Sequence, residues 1–130
     1  MNTGTVDRLI LAKQNLDEAN MLLTEQMGNK LVIAKLYHAM MQCLFALFGV
    51  RDAAKLTHAD LIERLNGEYI RAGKFDASVF DALRRAYDLM HECDCEHMPV
   101  PTDEETKAAM AAAEQLIRAT ENHLVTEGNA

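Results

Sequence analysis

The run from Leu31 to Phe48, LVIAKLYHAMMQCLFALF, is apolar almost all the way round a helix, and it constrains the fold more than any other stretch. A helix without a broad polar face has to be surrounded, either by lipid or by other helices. Its length invites a membrane span. Against that, Lys35, His38 and Gln42 interrupt it near the middle, and no basic flank sets an orientation. The run is therefore expected to be the central helix of a globular core, with no membrane association, and the rest of the chain must supply its cover.

A chain of 130 residues can build one such core and not two, so residues 1–130 are read as a single domain. Thr3 and Thr5 can cap a first helix, in which Val6, Leu9, Ile10, Leu16, Ala19, Leu22 and Leu23 recur at helical spacing until Gly28 and Asn29 end it. Gly49 to Thr57 reads as a loop. Thr57 then caps a helix whose inward face is Leu61, Ile62 and Leu65, and Gly67 and Gly73 make the segment after it irregular. Ser78 opens the next helix, with Val79, Leu83, Ala86 (with Tyr87) and Met90 on its apolar face, and Pro99 and Pro101 stop it. Thr102 and Glu105 form a capping box for a last helix from Asp103 to about Val125. No segment shows the two-residue alternation of a strand. The expected class is all-α, an up-and-down antiparallel bundle of about five helices.

Charge narrows the choice of partners. The net charge of −7 argues against a broadly basic nucleic-acid surface. The distribution is uneven, however: residues 30–85 carry +3 and residues 86–130 carry −8. One part of the molecule could face a polyanion while another repels it, or both could be solvated faces without a partner. Three cysteines in a chain with no recognisable secretory signal do not make a disulfide framework, and a reducing cytoplasm is the expected location.

The palindrome HECDCEH, residues 91–97, offers two histidines and two cysteines as metal ligands. On a helix, residues two apart are rotated by about 200°, so His91 and Cys95 share one face and Cys93 and His97 nearly the opposite one. No closed site is expected from one chain. His91 and Cys95 remain the candidate half-site for a metal shared across a dimer. A nucleophilic cysteine is disfavoured, because Glu92, Asp94 and Glu96 surround Cys93 and Cys95 with negative charge near a helix C-terminus. No cofactor is expected.

Just upstream, RRAYDLMH places Arg84 and His91 two turns apart with Asp88 between them, all projecting from one side. An imidazole can move the proton of a ribose 2′-hydroxyl, and a guanidinium can hold the scissile phosphate, so Arg84, His91 and Asp88 are the candidate catalytic set. The alternative is a solvated, salt-bridged helix face. Lys35, His38 and Gln42 form a second stripe, on the central helix, that either lines a cleft or faces solvent, unless His38 is a hydrogen-bonded core histidine.

Several strings together resemble the HEPN domain family (higher eukaryotes and prokaryotes nucleotide-binding), particularly its small prokaryotic single-domain members. IAKLYHAMMQCLFALFG is similar to that family's second helix, with Lys35, Tyr37 and His38 where its basic and aromatic residues fall. LTHADLIERLNGEYIRAGKF resembles its Thr-His loop and following helix, and ALRRAYDLMHECDCEHMPVPTDEET its fourth helix and the capped start of the last. The resemblance implies a helical bundle, a homodimer, association with RNA or nucleotides, and in some members a minimal nucleotidyltransferase as protein partner. It implies ligand contacts from Lys35, Tyr37, His38 and Asp94. Many members are metal-independent endoribonucleases that use an arginine followed four to six residues later by a histidine, which Arg84 and His91 match most nearly. Against a second family pattern, Arg-x-x-Ala-Asp-Tyr, Asp94 aligns with the aspartate but Met90 stands in place of the arginine, which implies a degenerate nuclease site.

Overall fold

The computed structural model describes residues 3–49, 57–91 and 100–128. Its axis is helix α2, Asn29–Phe48, of which eleven residues are buried, leaving one stripe through Leu31, Lys35, His38 and Gln42 outside the core. Helix α1, Thr3–Thr24, precedes it. Helix α3, His58–Leu65, continues into a π-helical turn, Asn66–Ile70, and is followed by α4, Ala77–His91, and α5, Asp103–Gly128. Among the described residues there is no strand, and the protein is an all-α bundle of five helices. α2 is long and apolar enough to cross a membrane, but here it forms the core of the bundle.

Contacts between distant residues set the directions of the helices. Arg8 and Gln42, and Glu18 and Lys35, pair in opposite order along α1 and α2, so these two are antiparallel. The Asn29 amide donates to the Pro101 carbonyl and to Asp103 Oδ1, both at 2.9 Å, which ties the start of α2 to the start of α5. Farther along, Cys43 meets Thr120, so α2 and α5 run parallel. Arg85 pairs with Glu105, and Asp76 meets Gln115, which makes α4 antiparallel to α5. The four long helices therefore alternate in direction, and α3 packs against α2 and α4.

The local signals explain the boundaries. The Thr57 hydroxyl accepts from the Asp60 N–H at 3.2 Å and caps α3. Thr102 and Glu105 exchange two bonds of 3.0 Å, a complete capping box at the start of α5. Gly49 closes α2 in the left-handed conformation, φ 63°, which glycine adopts without a Cβ clash. The π-helical turn is closed by the Arg71 N–H on the Asn66 carbonyl at 2.9 Å, and it carries Tyr69 inward against Phe75.

Five expectations shift. α1 ends at Thr24 rather than at Gly28, because Gln26 (φ 55°) and Gly28 (φ 103°) turn the chain and Asn29 is already the first residue of α2. Thr3 and Thr5 lie inside α1, not ahead of it. The cap of α4 is Asp76, whose Oδ1 accepts from the Ser78 N–H at 2.8 Å. On α1 only Leu9, Ala12 and Ala19 are buried, while Val6, Ile10 and Leu23 are exposed. An outer helix in contact with α2 and α5 hides one narrow stripe, and its alanines permit the close approach. Similarly, Leu89 is buried at the end of α4 where Met90 is only partly so. Residues 92–97 of the palindrome lie outside the described residues.

Leu36 is fully buried, and Leu36→Ala is expected to cost about 2–5 kcal/mol. Lys35→Ala, which breaks only the exposed pair with Glu18, should cost less than about 1 kcal/mol. Urea denaturation of the two variants measures the contrast. A second expectation concerns acid. The Thr102 N–H, and after it Arg85, hold the Glu105 carboxyl below its ordinary range, and the Ser78 N–H does the same for Asp76. A carboxylate whose pKa falls on folding stabilises the native state above its unfolded pKa and loses that contribution as pH drops through the folded value. Stability should decline as pH falls below about 4.5, and Glu105→Gln should make that decline shallower in thermal melts.

Candidate functional site

Polar and aromatic side chains converge where α2, α3 and α4 meet. Tyr37 projects from the middle of α2 and is almost completely buried, so its hydroxyl needs an internal partner. It finds His58 at the first position of α3, with the Tyr37 oxygen 2.6 Å from His58 Nδ1. Burial, and secondarily the neighbouring Tyr87, pushes the Tyr37 phenol above the usual tyrosine range. The phenol therefore keeps its proton near neutral pH and can donate it to Nδ1. Phe45 and Tyr37 wall the imidazole, with ring centroids at 6.0 and 5.7 Å.

On the α4 side, Tyr87 lies 6.4 Å from Tyr37, centroid to centroid. The Arg84 guanidinium lies 5.5 Å from the Tyr87 ring centre. It also sits between two carboxylates, Glu63 of α3 and Asp88 one turn along α4, each at 3.5 Å. Arg84 is thus a cation stacked on an aromatic ring and compensated from both sides. Each of these exposed ion pairs is worth at most about 1 kcal/mol, so the carboxylates would weaken a phosphate contact without forbidding it.

The residues singled out in the sequence separate into groups. Arg84 and Asp88 are brought together as an ion pair. His91 is the last described residue of α4, on the same helix two turns beyond Arg84, and its side chain lies outside the description. Asp94 and Cys95 also lie outside the described residues. Lys35, Tyr37 and His38 do not converge on one ligand position. Lys35 turns to Glu18 of α1, Tyr37 turns inward to His58, and His38 is exposed. Partial burial of the ring, then the nearby Lys35 charge, lowers the His38 pKa, which works against a charged imidazole at neutral pH. In the stripe of Lys35, His38 and Gln42, the first and last residues turn to α1, Lys35 to Glu18 and Gln42 to Arg8, from which it accepts at 3.1 Å. Among the described residues no group of three His, Cys, Asp or Glu side chains is placed to hold a metal ion.

His58 and Tyr87 are the members of the cluster that sequence reasoning passed over. His58 comes after a capping threonine and reads as an ordinary first-turn residue, and Tyr87 reads as part of an apolar face. Neither position carries a local signal of a partner. Cys43 is fully buried against the Thr120 hydroxyl, and burial pushes its thiol up to about 12, which makes it a core residue and not a nucleophile. Comparison of the chain with protein-family models, curated proteins and solved structures finds no match.

Tyr37→Phe removes one oxygen and leaves the ring. It is expected to destabilise the protein by about 1–2 kcal/mol through the orphaned His58 nitrogen. The imidazole nitrogen resonances of His58 should shift while the circular dichroism stays helical.

Proposed function

We propose that this chain is a HEPN-like, RNA- or nucleotide-associated helical protein in which the nuclease chemistry of that family is weak or lost. The observation that carries the reading is the setting of Arg84, whose charge is shared between Glu63 and Asp88 instead of standing open to a phosphate. An arginine that must hold a scissile phosphate through a developing negative charge works best without competing carboxylates. Tyr87 beneath the same guanidinium offers an aromatic surface of the kind on which bases stack. The homodimer and the nucleotidyltransferase-type partner implied by the sequence resemblance belong to the same proposal.

A second reading is a metal-independent endoribonuclease that uses Arg84 and His91. It is favoured by the unbroken course of α4 to His91, which keeps the two residues on one helix two turns apart. One experiment separates the two. The protein is incubated with single-stranded RNA in EDTA, and the ends of any fragments are analysed. The expected result is binding in low salt, weakened as salt rises, with no cyclic-phosphate ends above a buffer control. Cleavage to cyclic phosphate that disappears in both His91→Ala and Arg84→Ala would replace the proposal with the endoribonuclease reading.

A further inference from the structure

Away from the Tyr37 and His58 cluster, α4 and α5 do not close completely on each other. Between them lies a groove of about 310 Å³, at the small end of the range of ligand clefts, about 300–1,000 Å³. Its floor is Ile33 of α2 with Ala86, Leu89 and Ala109, all buried, and its walls are Ala82 and Ala108. Alanine at the wall positions is what leaves the space, since a larger side chain there would fill it. The lining is therefore mostly apolar, with Ser78 as an uncharged polar member, and the charged groups Asp81, Arg85 and Glu105 complete it.

Those three charges are not equivalent. Glu105 is engaged by the Thr102 N–H in the capping box and by Arg85. Asp81 is exposed and has no hydrogen bond or ion pair among the described residues, although it stands one turn from Arg85 on the same helix. The unmatched charge at the mouth of the groove is thus a carboxylate. We propose that the groove between α4 and α5 binds a small organic cation, an amine on a short aromatic or aliphatic body, with the body against the alanine walls and the ammonium on Asp81. This site is separate from the α2, α3 and α4 cluster and does not depend on the RNA reading.

The proposal is tested by monitoring the alanine methyl resonances of the full chain by NMR during titration with phenethylamine, phenethyl alcohol and hydrocinnamate. These probes share an aromatic body and differ in the charge of the end group. The expected result is a shift of the Ala82, Ala86, Ala108 and Ala109 methyls, with the amine binding about three- to fivefold more tightly than the alcohol, the effect of one exposed ion pair, and hydrocinnamate binding weakest. Asp81→Asn should reduce the amine to the level of the alcohol. Ala108→Leu, at an exposed wall position, should abolish binding of both while leaving the melting temperature of the protein unchanged. Equal affinity for amine and alcohol, tighter binding of hydrocinnamate, undiminished binding in Ala108→Leu, or no shift at millimolar concentration would each overturn the proposal.

Discussion

The burial of α2 is the constraint around which the remaining helices are arranged. Leu36, Met40 and Leu44 along its length are fully buried, and α1, α3, α4 and α5 each pack against it. Removing that much apolar surface from water is the dominant favourable term available to a domain of this size. It also decides where polar side chains on the same helix can go. Lys35 and Gln42 are placed along the edge of α1, where Glu18 and Arg8 satisfy them, and His38 stays partly exposed. Tyr37 has no such exit, and its hydroxyl is matched inside the protein by His58. The start of α3 is held against the middle of α2 by that bond.

This arrangement sets the electrostatic character of the candidate site. α3 and α4 meet with Glu63 and Arg84 in contact, and Asp88 lies one helical turn from the same guanidinium. The basic segment of the chain is therefore not presented as open positive charge at this point, because its own acids are folded onto it. On the function proposed above, such a surface would take a stacked base or nucleotide more readily than it would stabilise charge in a phosphoryl transition state. The aromatic cluster of Tyr37, Tyr87, Phe45 and His58 forms the floor of the site, and the Tyr37 hydroxyl ties the imidazole to it.

The groove between α4 and α5 arises from different physics. Two antiparallel helices with alanine on facing turns leave a trough when no larger side chain reaches across, and Ile33 of α2 closes its bottom. From α4 the trough takes Ser78, Asp81, Ala82, Arg85, Ala86 and Leu89, whereas the aromatic cluster takes Arg84 and Tyr87. A single helix thus contributes one face to a polar, aromatic site and another to an apolar trough, as helical spacing allows for residues such as Arg84 and Arg85 that are adjacent in sequence.

Local chemistry made the helices legible. The apolar run of α2, the Thr57 cap and the Thr102 and Glu105 capping box depend on residues within a turn or two of each other, so their spacing alone specifies them. The helical class, the central place of Leu31 to Phe48 and the closeness of Arg84 to Asp88 were determined in that way by the sequence. Only the tertiary structure decided that Tyr37 meets His58, that Glu63 reaches Arg84, that Val6 and Ile10 stay exposed, and that the alanines of α4 and α5 enclose a groove. These outcomes depend on which helix faces cross, and a helix pattern specifies its own apolar stripe without specifying the partner that will cover it.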